Sequence, residues 1–208
     1  MNIQWIKYDN HIALKDDKRI YHPMANDVYS AASGNTLNNP PCSNPKLEMP
    51  EIRFSSIGSP CHIELKNDAD EHITLQVIAN RRGTEVIVDI VDGTLIDHCI
   101  AGNTWFYVTS TTQVIQEILS NAGIRTAGKI NLKQYLRIVE QSMFCEKGII
   151  VNKIDSSILQ KPIIEDQSIP TGLKAKLFPY QETGFHWLKT MLEANNGCIL
   201  GDEMGLGK

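Results

Sequence analysis

Little in this sequence points to a secreted, membrane or strongly basic protein. The five cysteines among 208 residues are odd in number and scattered, so they predict neither a disulfide framework nor a zinc cluster. Acidic residues (24) outnumber basic ones (20), and this balance gives the chain no global positive field for nucleic acid. No apolar run reaches membrane-spanning length, and the N-terminus lacks an apolar signal core. We therefore expect a cytoplasmic chain with no membrane partner.

What the sequence does have is a globular composition and a series of short β-patterned runs. Hydrophobic residues make up 42% of the chain and charged residues 21%, which is typical of a domain with a packed core. The predicted strands are 2–8, 53–57, 61–66, 72–79, 84–91, 94–101 and 104–109, and the predicted turns are Arg82-Gly83, Asp92-Gly93 and Gly102-Asn103. We predict an antiparallel β-meander over 53–109, and a loop at 33–50.

The hydrophobic period changes near residue 110. Two segments, 111–124 and 131–144, repeat apolar residues at helical spacing, and 147–154 is predicted to be a further strand. The apolar faces of the two predicted helices are Val114, Ile115, Ile118 and Leu119, and Leu132, Tyr135, Leu136, Val139 and Met143. The helices either pack on the preceding sheet, which we favour because a fold alone does not imply a function, or form a winged arrangement. The winged arrangement would contact DNA through a basic cluster of Lys129, Lys133 and Arg137.

A polar, acidic stretch bracketed by Pro162 and Pro170 predicts a linker at 155–172. It separates a β-rich accessory domain at 1–154 from a C-terminal segment at 173–208. Pro179 suits the first turn of a helix, because its missing N–H costs nothing there. A core-facing stripe is predicted along this helix at Tyr180, Gly184, Trp187, Leu188, Met191 and Leu192.

A wholly apolar run at 198–200 predicts a buried strand, and a glycine-rich loop follows it at 201–208. Gly205 and Gly207 allow backbone amides to turn inward on an anion, and Lys208 would place an ammonium on its phosphates. The general phosphate-loop pattern is G-x-x-x-x-G-K-[ST]. Here Asp202 stands at the first position, and the Ser or Thr that holds Mg²⁺ would come next after Lys208.

Two motifs in this order make the pattern more specific. "LFPYQETGFHWL", followed about twenty residues later by "ILGDEMGLGK", closely resembles the Swi/Snf-type ATPases, the superfamily-two helicase-like DNA translocases. Their usual pattern is L-x-P-Y-Q-x-x-G-x-x-W-L and then [AG]-D-E-M-G-L-G-K-[ST]. In that family an Asp at the first loop position is normal. The resemblance covers only residues 173–208.

This resemblance implies the start of a RecA-like α/β lobe, with ATP and Mg²⁺ as cofactors of the full-length protein. Gln181 would read the adenine edge through its amide, while Tyr180 and Trp187 would pack the lobe. Gly205, Gly207 and Lys208 would hold the phosphates. The implied cofactor-binding set is Gln181, Asp202, Glu203, Met204, Gly205, Leu206, Gly207 and Lys208, with Asp202, Glu203 and Met204 as loop framework. No catalytic residue or metal ligand is implied within 1–208, since family catalysis needs a second acidic motif and arginines from a second lobe.

Two functions remain open at this point. The first is the N-terminal portion of an ATP-dependent DNA translocase, which we expect to be inactive alone. It would act on double-stranded DNA through the missing motor lobes and associate with nucleoid or chromatin at full length. The second is a protein-interaction or regulatory β-domain with a non-functional motor stub, whose partner would be another protein. The fold class expected for both is α+β, a β-meander-rich domain with two helices followed by a truncated RecA-like lobe.

Overall fold

Strands outnumber helices in the computed structural model, which describes residues 3–35, 37–38, 41–109, 111–155, 172 and 176–195. This part of the chain is mixed α+β. The strands are β1 (Gln4–Tyr8), β2 (His11–Lys15), β3 (Ile20–Tyr21), β4 (Leu37–Asn38), β5 (Pro41–Cys42), β6 (Arg53–Phe54), β7 (Cys61–Asn67), β8 (Ile73–Arg81), β9 (Thr84–Val88), β10 (Ile90–Val91), β11 (Thr94–Leu95), β12 (His98–Ala101), β13 (Thr104–Tyr107), β14 (Gly128–Lys129) and β15 (Ile150–Asn152). The helices are α1 (Ala25–Ala32), α2 (Pro45–Glu48), α3 (Thr112–Ala122), α4 (Leu132–Gln141) and α5 (Pro179–Asn195).

The N-terminal region is a three-stranded antiparallel sheet, β1-β2-β3, followed by α1. The strand predicted at 2–8 is confirmed over Gln4–Tyr8. The loop predicted at 33–50 is partly wrong, because β4 and β5 pair there and α2 forms a single helical turn. That turn begins after Asn44, whose side chain accepts the N–H of Lys46, and Pro45 takes the first helical position.

The central sheet has the order β14-β8-β7-β15, with β9 also paired to β8. β7 and β8 form its long antiparallel pair, from Cys61 opposite Ala79 to Asn67 opposite Ile73. The antiparallel sheet predicted over 53–109 is wrong in one pairing, because β6 runs parallel to β13. The further strand predicted at 147–154 is observed as β15, which runs parallel to β7. Both parallel strands arrive through long connections that bring the chain back in the same direction, and a local sequence pattern does not show such a return.

Two predicted hairpin turns are confirmed by their backbone angles. Arg82 and Gly83 have φ values of 50° and 84°, and Asp92 and Gly93 have the same pair of values. Two consecutive left-handed residues define the type I′ turn, whose twist matches that of the flanking strands. The runs predicted as single strands at 84–91 and 94–101 are nevertheless each broken in two, at Asp89 and at Ile96-Asp97.

Helices α3 and α4 pack on the central sheet and complete the main core, which confirms the packing alternative. Gly123 ends α3 with φ 70°, and Asn131 and Gln134 form a capping box at the start of α4. Two predicted core positions are wrong, since Val114 is 39% exposed and Met143 is 82% exposed. The helical residues buried in this core are Ile115, Ile118, Leu119, Ala122, Leu132, Tyr135 and Ile138.

A second apolar cluster joins the N-terminal region to β12 and β13. Trp5, Ile12 and Leu14 of the N-terminal sheet and Val28 of α1 share one apolar cluster with Ile100 and Trp105, and all six are buried. In the described ranges, no helix combines the length and apolar character that crossing a bilayer requires.

Candidate functional site

The helix that carries the first nucleotide motif, α5, begins at Pro179 as predicted. The backbone N–H groups of Gln181 and Glu182 donate to the carbonyl of Phe178 at 2.9 and 3.0 Å. The side-chain oxygen of Gln181 in turn accepts the N–H of Phe178 at 3.0 Å, which is the reach-back contact of a capping box. The structure therefore places the Gln181 amide at the start of the helix and gives its oxygen a local capping role.

The buried face of α5 differs from the predicted stripe. Tyr180 is 52% exposed and stacks on Phe178 with ring centroids 5.9 Å apart, while Leu192 is 51% exposed. Among the described side chains of α5, His186 is the most deeply buried, and Met191 packs against the main core beside α4. Apolar and polar residues are only weakly segregated around this helix, so its periodicity alone does not select one face.

The second nucleotide motif lies outside the described residues. The strand predicted at 198–200 and the loop residues Asp202, Glu203, Met204, Gly205, Leu206, Gly207 and Lys208 belong to this part of the chain, as does the linker between 156 and 171. The role of the loop therefore stays a prediction. The RecA-like lobe and the domain boundaries also stay predictions.

One group within the described ranges brings three possible metal ligands together. The ligand atoms of Asp68, Asp70 and His72 lie within 4.8 Å of one another. Asp68 Oδ1 accepts the backbone N–H groups of Asp70 and His72 at 3.0 and 2.8 Å, so the group is explained by the turn between β7 and β8. We assign no metal to it.

The basic cluster of the winged alternative is on the surface. Lys129 lies on β14, and Lys133 and Arg137 lie one turn apart on the exposed side of α4. Lys129 also pairs with Asp68 at 3.9 Å, a distance at which exposed ions interact weakly. These side chains provide little positive charge, and α3 and α4 already bury their apolar faces on the sheet.

A buried polar junction between the N-terminal region and the centre of the molecule is absent from the sequence predictions. Asp89 accepts the backbone N–H of Asn10 at 3.0 Å and contacts Nδ1 of His11 at 2.6 Å. Asp97 accepts the N–H of Ala25 at 2.7 Å, so this carboxylate caps α1, whose own N-cap residue Met24 has no side-chain cap.

His98 and Asn10 complete this junction. His98 is fully buried, and its Nε2 lies 3.3 Å from the N–H and 3.1 Å from the carbonyl of Ile12. The N–H of Ile100 donates to the carbonyl of Asn10 at 2.7 Å. The signal in the sequence was an aspartate inside each of two strand-like runs, since Asp is depleted in strands.

Comparison with known proteins identifies a class of relative for a short part of the chain. No protein-family model matches, and no solved structure matches significantly. The curated proteins that match include Swi/Snf-type helicases, each over a short segment.

Three of these relatives show the extent of the similarity. Helicase SWR1 of Candida albicans is 47% identical over 45 residues, which is 22% of this chain and 3% of the helicase. Chromodomain-helicase-DNA-binding protein 1-like of Mus musculus is 44% identical over 50 residues, covering 24% of this chain and 5% of that protein. DNA excision repair protein ERCC-6 of Homo sapiens is 52% identical over 44 residues, covering 21% and 3%. Each match therefore spans only a few per cent of the relative's length.

Proposed function

We propose that this chain carries the first nucleotide-binding motifs of an ATP-dependent, Swi/Snf-type DNA translocase, preceded by an α+β accessory domain. The observation that carries the proposal is the ordered pair of motifs, LFPYQETGFHWL and ILGDEMGLGK. The short matches to helicases of that type support it. Double-stranded DNA is the proposed substrate along which the translocase moves, and it would be bound by the motor lobes rather than by residues 1–154.

Gln181 is the proposed adenine-reading residue. A carbonyl oxygen accepts two hydrogen bonds and the amide nitrogen donates two, so capping the N–H of Phe178 is compatible with reading adenine. The capping contact orients the amide at the helix start before nucleotide arrives. Gly205, Gly207 and Lys208 are proposed to bind the phosphates, and Mg²⁺ would neutralise charge on them.

The proposal is tested by DNA-stimulated ATP hydrolysis in the full-length protein. We expect Lys208→Ala to lower kcat by at least about 100-fold, the scale on which loss of one transition-state donor acts. Unchanged turnover in this variant would contradict the proposal.

Gln181→Ala tests the adenine contact and has a matched control within the chain. Gln134 occupies the same position of α4 and accepts the N–H of Asn131 at 3.0 Å, so Gln134→Ala removes the same reach-back contact, together with the bond from Gln134 Nε2 to the Gly123 carbonyl at 3.2 Å. We expect both variants to lose similar helix stability, about 0.5–1 kcal/mol. Only Gln181→Ala should raise the KM for ATP, by about tenfold for one lost hydrogen-bonding amide. Equal KM values in the two variants would remove the adenine role.

The alternative, a protein-interaction or regulatory domain with a motor stub, is favoured by one observation. Met191 packs α5 against the core of the preceding domain, beside α4. Hydrogen exchange separates the two functions: if the alternative is correct, α5 stays protected together with α4 when ATP is added. Selective additional protection of α5 by ATP in the full-length protein would instead support the translocase.

A further inference from the structure

Two histidines of the N-terminal region form a hydrogen-bonded pair behind Asp89. His11, the first residue of β2, has no exposed surface. Its Nδ1 lies 2.6 Å from Asp89 Oδ2, and its Nε2 lies 2.8 Å from Nδ1 of the half-buried His22. The chain Asp89–His11–His22 thus runs from the central strands through a buried ring to the surface beside β3.

The geometry limits how many protons this pair can hold. The carboxylate of Asp89 is an acceptor, so His11 Nδ1 donates to it. One proton then remains for the contact between His11 Nε2 and His22 Nδ1. If both rings were fully protonated, two N–H groups would face each other at 2.8 Å, and no acceptor would remain between them. The closed contact is therefore compatible with at most one charged ring.

The surroundings of the pair also bear on its charge. Asp89 and Asp92 approach it from the β9–β11 segment, and His98 of β12 lies with its ring 5.8 Å from that of His11. Tyr8 of β1 lies edge-on to both histidines at 5.4 Å, and Asp97 Oδ1 lies 3.3 Å from His98 Nδ1. Burial, followed by the neighbouring His11, lowers the pKa of His22, while Asp92 and Asp89 oppose this shift.

The sign of the linkage follows from this direction. A histidine whose pKa is lower in the folded state binds its proton less well there than in the open chain. Its contribution to stability is present above the ordinary histidine pKa of about 6.5 and is lost as the pH falls below it. Acid therefore favours separation of the two rings.

We propose that the His11–His22 pair is an acid-sensitive latch on the junction between the N-terminal sheet and the central strands, closed at neutral pH and opened when the pair takes up the one proton that its closed contact cannot hold. Opening displaces Asn10 and Ile12 from Asp89 and His98, because these residues flank His11 on the same strand segment.

Amide hydrogen exchange on the 208-residue chain at pH 7, 6 and 5, corrected for intrinsic exchange rates, tests the latch. The reporters are the amides of Ile12 and Ile100 at the junction, and the internal reference is Ile63 of β7, which donates to the carbonyl of Ile149 just before β15. If opening takes up one proton, the equilibrium constant for opening rises by at most about tenfold for each unit by which the pH falls. We therefore expect the exchange protection of the junction amides to fall by no more than this factor per pH unit, while Ile63 stays protected.

His22→Asn is the decisive variant, because its amide can donate to His11 Nε2 but never becomes charged. We expect it to abolish the pH dependence at Ile12 and Ile100. The matched control is His72→Asn, which replaces an exposed histidine paired with Asp68 and should leave that dependence intact.

Three results would overturn the proposal. They are equal pH dependence in His22→Asn and the wild type, unchanged junction protection between pH 7 and 5, and parallel loss at Ile63, which would indicate global unfolding. If His22→Asn weakens the junction at every pH, NMR titration of the histidine rings provides the second measurement. A His22 midpoint matching that of opening supports the latch, and clearly separate midpoints contradict it.

Discussion

The central region and the N-terminal region are held in the molecule by different kinds of contact. In the centre, β7 and β8 bury apolar side chains under α3 and α4, and residues such as Leu65, Leu75 and Leu119 have no exposed surface. The N-terminal region adds to its own apolar cluster a polar junction made by Asp89, Asp97 and buried histidines. Apolar burial is non-directional and independent of protonation, whereas a buried polar junction is specific in geometry and sensitive to pH. The comparison predicts that the two regions respond differently to mutation and to acid.

The largest effect is expected in the central core. Leu75→Ala removes a fully buried side chain from β8, and we expect a loss of about 2–5 kcal/mol in the free energy of unfolding. Urea denaturation at pH 7 and 5.5 measures it, and the loss should be the same at both pH values. Leu47→Ala is the control, because Leu47 is 79% exposed and should change stability by less than about 0.5 kcal/mol. A pH-dependent loss in Leu75→Ala would break the contrast between the regions.

A smaller but more local effect is expected from Asp89→Ala. This change leaves the N–H of Asn10 and Nδ1 of His11 without their acceptor, and buried donors left in this way cost about 1–3 kcal/mol. We expect hydrogen exchange to show lost protection over β1–β3 with β7 and β8 retained. Asp17→Ala, at an exposed position between β2 and β3, should leave both regions unchanged. Uniform loss across both regions would show that the junction is not local.

The smallest effect is expected from Glu64→Gln, which tests the one buried carboxylate of β7. Hydrogen bonds from the Lys153 and Lys66 ammonium groups, that of Lys153 first, lower the pKa of Glu64 below its ordinary value of 4.5 despite burial. Its contribution is therefore present above pH 4.5 and lost as the pH falls through the lowered value. We expect Glu64→Gln to cost about 1 kcal/mol at pH 7 and 5 alike, with the difference vanishing in stronger acid.

Thermal unfolding from pH 7 to pH 3 measures the Glu64 effect, with Glu117→Gln on the exposed side of α3 as its control. The central region should thus become acid-sensitive only in the carboxylate range, below the range in which the histidine latch responds. A Glu64→Gln difference that already changes between pH 7 and 6 would contradict this separation.

Local sequence signals predicted the elements of the central region well. Alternating apolar residues located β7 and β8, left-handed turn residues located the β8–β9 and β10–β11 hairpins, and Gly123 marked the end of α3. These signals depend on contacts within a few residues, so they are visible in a linear pattern. The sequence did not reveal that β6 and β15 pair in parallel with their neighbours, because this pairing joins chain segments that are far apart in sequence.

The candidate site likewise has a part that the sequence predicted and a part that only the structure decided. Pro179 and Gln181 were predicted at a helix start, and the structure confirms the helix and adds the capping contact to Phe178. The packing of α5 was predicted less well, since Tyr180 is exposed and His186 is buried. Which face of a helix with weakly segregated apolar residues becomes buried depends on the surface it meets, here α4 and the main core.

The sequence by itself determined the nucleotide motifs, the turn chemistry and most of the strands, because each depends on residue types at short spacing. Only the tertiary structure decided what Asp89, Asp97, His11 and His98 do. Their roles depend on contacts between segments up to 86 residues apart, such as the contact between His98 and Ile12. In the sequence, each of these side chains is an ordinary polar residue. Burial made them a junction, because a polar group removed from water must find its partner within the fold.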